Sequence, residues 1–543
     1  MKKIIFLPLI LSLALPLVAQ DSIVERNVTI EREFRPIIQD AGKIQTKPQV
    51  FVPNIQMQEV HYSDFNKTLT PTHSFNNLGM AEIALVKPQN TKGFARMGGG
   101  YWNSLGDFAY DFLNTTDMKL NFMLNHSGVY NTQQLSGTNA QIAFNKLFDN
   151  VNFYVGANGN HTYFNQYGQA YDATTDSYDK DVLRTVGSSN MGAFGSKIGI
   201  RAIPTAELDY QLQTGYEVFF APNNIVEHQV RTLGFADWAF HQHTVGLDFS
   251  MQNLLYKEDA KNSAAHPDNT LIHIEPFYTW GNEHFNVHAG VNLDFASNSA
   301  KVFNPSPEIR AEWIANDALS VYGKIGGEYA QHTLHSAFVE NRYIGTRLFF
   351  TEEMAYYKPI DTHVGMKFRP QKNLLLNVFA NYDYTLDQYY YMYNKVAGHF
   401  DITHSHTTHM SAGAEATYHY TDRVKTSAKL TYNYWEAATL SHVCDRPALE
   451  GSVSVQARVI NRLYLNVDGF FASKRYGLTT EKNVLEWETL KSTYDVNLSA
   501  SYLFNKNLSV FASLNNLINN KHEVYYAHQV QGFNFLLGAS WSF

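Results

Sequence analysis

Apolar and polar residues take turns along most of this chain. In TAELDYQLQTGYEVFF, Leu208, Tyr210 and Leu212 alternate with Asp209 and Gln211. In HFNVHAGVNLDF, Phe285, Val287, Ala289, Val291, Leu293 and Phe295 alternate with Asn286, His288, Asn292 and Asp294. VKTSAKLTYNYW sets Val424, Ala428, Leu430, Tyr432 and Tyr434 against Lys425, Ser427, Lys429, Thr431 and Asn433. A period of two puts successive side chains on opposite faces of a strand, so each segment predicts a strand with one apolar and one hydrated face. GSVSVQARV, RLYLNVDGFF, TYDVNLSASYLF and NLSVFASLNNL repeat the pattern. So does the closing FNFLLGASWSF, whose apolar parity carries Phe533, Phe535, Leu537, Ala539, Trp541 and Phe543.

The connectors alternate too. Tight polar turns fall near Asp149, Pro204, Asn282, Asn316, Lys372, Asp422, Asn461 and Lys506, and between them lie long irregular connections such as QYGQAYDATTDSYDKD, YKEDAKNSAAHPDN and SKRYGLTTEKNVLEWE. Short turns at one end and long loops at the other are the rhythm of a transmembrane barrel in an outer membrane. Hydrocarbon supplies no hydrogen-bond partner, and only closure removes the unpaired edges of a sheet. The expected fold is therefore all-β, a transmembrane antiparallel β-barrel of about 22 strands over residues 92–543, in the outer membrane of a Gram-negative bacterium. The final strand is expected to pair with the first and to set an aromatic at the membrane boundary.

The first 91 residues differ in kind. MKK followed by IIFLPLILSLALPLV and AQ reads as a signal peptide over residues 1–20, with a basic start, an apolar run and a small residue at the cleavage point. Residues 21–91, including NVTIEREFRPIIQDAGKIQTKPQVFVP, mix charge with proline and never sustain alternation. They read as an extended periplasmic or lumenal N-terminal segment, in which a piece such as VTIE has the character of a strand added to another protein's sheet edge.

Composition agrees and excludes alternatives. Charged residues are 17% of the chain, below the roughly 25% of soluble domains. Aromatics reach 14%, while mean hydropathy is only −0.30, as expected when apolar positions are diluted one to one by polar ones. Without Lys2 and Lys3 the formal charge moves from −8 to −8 − 2 = −10, which argues against nucleic acid as a partner. The single cysteine, Cys444, excludes an intrachain disulfide and a thiolate zinc cluster. No nucleophile elbow, P-loop, HExxH or EF-hand loop occurs, so the chain is expected not to be an enzyme and to need no cofactor.

The segment ASLNNLINNKHEVYY followed by GFNFLLGASWSF resembles the C-terminal strands of TonB-dependent receptor barrels, and GGGYWNSLGDFAYDF, LNHSGVY and FRPIIQDAGKI resemble a subset of that family found without the usual plug. The resemblance implies passage or binding of a solute at the cell surface, and maps the family's assembly signal onto Phe535, Trp541 and Phe543. It implies as partners outer-membrane lipid, the outer-membrane assembly machinery and a periplasmic or surface lipoprotein. The leader is shorter than the family's plug domain and carries no recognisable TonB box. A second reading therefore stands beside transport, that of a non-conducting scaffold subunit of an outer-membrane assembly.

Three sets of residues are candidates for chemistry. Glu207, Asp209, Glu217, Asp294, Asp468 and Asp495, with Lys324, Lys425, Lys429 and Arg458, are expected to project into the lumen and tune ion preference. Tyr389, Tyr390, Tyr391 and Tyr393 of QYYYMY are placed in an outward connection, where they suit stacking on a surface ligand or packing within a loop. In THSHTTH, His404 and His406 share a strand face while His409 falls on the other, so no metal site is expected there.

Overall fold

The computed structural model describes residues 92–203, 208–222, 225–257, 268–297, 301–345, 355–421, 423–482 and 484–543. Among them, 22 strands run antiparallel, each paired with the next in sequence, from Gly93–Gly100 to Asn534–Ser542. The last strand then pairs with the first, from Phe94 opposite Ser542 to Gly100 opposite Leu536, and Gly93 and Phe543 exchange both backbone hydrogen bonds. The wall is a closed cylinder, as the alternation predicts. The signal peptide, the extended segment and Glu207 lie outside the described residues.

The period-two pattern sorts the faces. In strand Leu208–Phe220, Leu212, Tyr216 and Phe220 are exposed while Gln211 and Phe219 are buried. The exposed parity faces outward, as the lipid-facing parity of a transmembrane barrel does, and the other parity faces the interior. All eight connectors read as tight turns join an even-numbered strand to the next one, and so share the end where Gly93 meets Phe543. Exposed aromatics such as Phe148, Trp238, Phe285, Trp313, Phe504 and Phe543 cluster near this rim, as in the aromatic girdle of a membrane-spanning barrel.

The long connections all belong to the opposite end. There two strands outgrow the rest: Leu374–Asn394 has 21 residues and His399–Thr421 has 23. A hairpin, Arg475–Glu481 with Val484–Leu490, joins this extension, pairing in parallel with it at Met392–Asn394.

Candidate functional site

Among the described residues, parts of several long connections fold over the barrel mouth and build a second core there. Phe164, Met191 and Phe219, inward-facing residues near the loop end of the fifth, sixth and seventh strands, pack in one buried cluster with Tyr389, Tyr391, Tyr393 and Phe400 of the extended pair. The helix Leu334–Glu340 contributes Leu334, Ala337 and Phe338, and the last long connection contributes Tyr525, Tyr526 and Ala527. Strand Val151–Asn165 is the fifth of 22 and Leu374–Asn394 the fifteenth, nearly opposite on the circumference. The Tyr393 hydroxyl nevertheless donates to the carbonyl of Gly168, just beyond the fifth strand, at 3.1 Å. The loops therefore bridge the mouth as a lid.

Polar groups anchor the lid helix to the wall. Thr333 caps it by accepting from the Ser336 amide at 2.9 Å. The Glu227 carboxylate accepts from the Leu334 amide at 2.6 Å and from the His335 amide at 3.3 Å, and His335 Nδ1 meets Glu217 Oε1 at 2.6 Å. Tyr389 donates to Glu340 Oε2 at 2.5 Å, and Tyr525 donates to the Glu340 carbonyl at 3.2 Å. The lid is hydrogen-bonded from several sides as well as packed.

The four tyrosines are the main correction to the sequence reading. Tyr389, Tyr390, Tyr391 and Tyr393 lie in a strand, not a loop, and are only 1–5% exposed, so they offer no face to a ligand at the surface. Asp387, at φ 56°, marks a register shift between Thr385 and Gln388. Beyond it both faces of the strand are covered. Tyr389, Tyr391 and Tyr393 enter the larger cluster, while Tyr390 packs with Val443, Cys444 and Leu478.

A buried group of charges lies within the lid. Glu340, Cys444, Asp445, Arg446, Arg475 and Tyr389–Tyr391 line a narrow cleft that is partly open to solvent. Arg475, 1% exposed, donates to the Val524 carbonyl at 3.1 Å and to the Glu523 carbonyl. Burial pushes the Glu340 carboxyl up to about 7, against the lowering effect of the Tyr389 hydrogen bond. Burial likewise raises Asp445 to about 7, opposed by Arg475 and Arg446, and raises Glu523 to about 7. The Cys444 thiol is pushed well up by burial, which makes it an inert packing residue.

Below the lid, nearly all of the charged side chains singled out from the sequence have partners. Asp209 faces Arg201 at 3.9 Å, Glu217 meets His335, and Asp294 accepts from His273 at 2.7 Å and from the Tyr329 amide at 3.3 Å. Lys324 lies 3.6 Å from Glu308 and 3.9 Å from Asp361, and Lys429 lies 3.1 Å from Glu415. Asp468 accepts from Asn466 at 2.5 Å, Arg458 stands opposite Tyr464, and Lys425 and Asp495 are buried.

Strand register arranges these groups in rows that no single-strand reading reveals. One row of directly opposed residues runs His288, Arg310, Lys324, His363, Asn381, Ser411, Asn433 across seven neighbouring strands. One step toward the lid, Asp361, Asp383, His409 and Trp435 form another, with Glu308 two residues before Arg310 on its strand. The basic row and the acidic row are tied together by Arg310–Glu308 at 2.6 Å and His363–Asp361 at 3.0 Å. Within the acidic row, His409 meets Asp383 at 2.8 Å. His404 and His406 lie on the face opposite His409, and among the described residues no group of three or more His, Cys, Asp or Glu suits a metal ion.

The closed wall, the girdle and the sorted connectors define the class: a 22-stranded outer-membrane-type barrel. No family model matches the chain, and no curated protein matches it by sequence. Solved structures do match, among them siderophore receptors, an iron transporter and a copper transporter. The siderophore receptor PirA of Acinetobacter baumannii aligns with TM-score 0.64 and 10% identity over 83% of this chain and 80% of the receptor. The FrpB iron transporter of Neisseria meningitidis gives 0.64 and 11% over 84% and 82%, and a mutant ferric enterobactin receptor, PfeA, of Pseudomonas aeruginosa gives 0.62 and 10% over 84% and 81%. The protein is thus a TonB-dependent-receptor-like β-barrel in fold.

Proposed function

We propose that the protein takes up a small solute captured at the cell surface, in the manner its fold relatives' names describe for siderophores and iron. The observation that carries this reading is the lid. A scaffold subunit has no need of a hydrogen-bonded cover over a hydrated, charge-lined interior, whereas a receptor that admits one solute at a time does. In this reading the short-turn end faces the periplasm and the lid faces outward. Asp209, Glu217, Asp294, Lys324, Lys425, Lys429, Arg458, Asp468 and Asp495 shape the polar interior, and Phe535, Trp541 and Phe543 form the assembly signal. A surface or periplasmic lipoprotein serves as partner. The fold relatives, named as receptors and transporters, favour uptake over the scaffold reading.

Planar-bilayer recording tests the proposal. The intact protein is expected to conduct little, and Phe338→Asp, which puts a charge into the lid core, to open steady channels. The same recording on a chain lacking residues 21–91 assigns any block that remains. Silence from all three proteins, with a partner that stays bound through purification, would replace uptake with the scaffold reading.

A further inference from the structure

We infer that strand Val484–Leu490, the free edge of the lid hairpin, is a docking site at the cell surface for a partner protein, which adds an extended segment there as one more strand, apolar on one face and cationic on the other. The inference deepens the partner named in the uptake reading and rests on that reading for the outward orientation of the lid.

Strand Val484–Leu490 is paired along one side only, with Arg475–Glu481, which pairs in turn with Met392–Asn394. The Lys395 amide donates to the Thr480 carbonyl, and the Asp445 amide to the Tyr476 carbonyl. Thr480 and Tyr476 thus aim their carbonyls away from Val484–Leu490, and their cross-strand neighbours, Leu485 and Thr489, stand at non-hydrogen-bonded positions. The amides and carbonyls of Leu485, Trp487 and Thr489 therefore face outward, and among the described residues nothing bonds to them. Such a row is what an added strand completes. The stretch VLEWETL has no proline, glycine or lysine, and its register runs without a bulge, so the usual devices that blunt an edge are missing.

The side chains define the occupant. Val484 and Leu485 are 59% and 58% exposed. Lipid does not account for them: the hairpin joins the long strand at Met392, 392 − 374 = 18 residues beyond Leu374, and a tilted strand crosses the hydrocarbon in about ten. Leu485 and Trp487 share one face, where Trp487 packs against the cluster of Tyr390, Val443, Cys444 and Leu478. Glu486 and Glu488 share the other, and the single Lys395 ammonium serves both at 2.8 Å. Glu481, opposite Val484, brings a third carboxylate to that face, against Lys395 and the turn residue Lys482. Side chains directly opposite across a strand pair interact, favourably when their charges differ. Apolar residues beside Leu485 and Trp487, with cations beside Glu486 and Glu488, are thus the complement of this edge.

The test is fluorescence anisotropy of a labelled seven-residue peptide of alternating lysine and valine, titrated with the full chain in detergent. Saturable binding is expected. A peptide with glutamate for lysine should bind severalfold more weakly, and one with proline for two of the valines, which cannot complete the ladder, about tenfold or more weakly. Leu485→Pro removes an outward amide and spares the ladder to Arg475–Glu481, while Leu485→Lys puts a cation at an exposed position with the backbone intact. Both should weaken binding at least severalfold, and Lys506→Gln, in a turn at the far end, should match the parent. A heat-modifiable band on gels confirms that each variant is folded. No binding of the alternating peptide, equal binding of the glutamate or proline peptide, or folded Leu485 variants that bind like the parent, overturns the inference. Bilayer recordings on the same preparations separate the two readings: channels without peptide binding defeat the docking edge alone, and peptide binding to a barrel that never conducts defeats uptake alone.

Discussion

Gly100 shows how much a single residue decides at the closing seam. A Cβ built there would overlap the Phe535 carbonyl oxygen, and one at Gly98 would lie 2.7 Å from Leu536 Cδ2. Gly100→Val is therefore expected to block pairing of the first and last strands, and the yield of heat-modifiable barrel on cold gels should fall severalfold, whereas Gly137→Val, with open space around its position, should not change it. In the lid, Phe338→Ala removes a fully buried ring and should loosen the cover by about 3 kcal/mol. Faster proteolysis of the loops, with the barrel band unchanged, would register that loss. The charged side chains of the wall were legible residue by residue, because parity alone places Asp294 or Lys324 indoors. Their pairing was not. That Asp383 faces His409 depends on register across a hairpin, which is set by turn geometry and a bulge rather than by either residue. Arg446, in HVCDRPALE, carries no periodic or motif signal at all.

The lid is the element where pH should matter. Glu340 and Glu523 are raised from 4.5, and Asp445 from 3.8, to about 7 in the closed structure. A carboxyl held higher in the closed lid than in the open one stabilises closure fully below its open-state value and loses that contribution as pH climbs through the closed-state one. Each tenfold weakening of the acid on closure is worth about 1.4 kcal/mol before solvent screening. Closure should thus be tightest below about pH 4 and weaken progressively up to about pH 7, levelling off above. Conductance should rise over that window, and Glu340→Gln with Asp445→Asn should flatten the rise. A profile with conductance falling between pH 4 and 7 would contradict the assignment. At this scale the strands were legible because lipid on one side and water on the other impose period two. The lid was not, since QYYYMY runs past a bulge into a stretch buried on both faces, where alternation has no cause. The seven-residue helix LHSAFVE was missed for a related reason: it is too short to show a helical period, and its start is fixed by Thr333 and by Glu227, more than a hundred residues away.

For the molecule as a whole, the basic and acidic rows nearly cancel around one arc of the wall. Lys324→Gln removes a cation placed between Arg310 and His363 and leaves Glu308 and Asp361 less compensated. Channels opened by the lid variant should then shift toward cations, which reversal potentials in a salt gradient measure directly. The barrel and its strand number were readable from the sequence, because closure is the only solution open to a sheet in hydrocarbon. The seam has a further consequence. Phe94 and Ser542 are 542 − 94 = 448 positions apart, yet they are neighbours in the finished wall. Bringing them together is the longest loop the chain must close, and its entropic toll grows only with the logarithm of that length. The difficulty is one of timing. Until the last hairpin arrives, a nearly finished cylinder presents two raw edges to whatever surrounds it, so its survival in the cell depends on how those edges are sheltered during that wait.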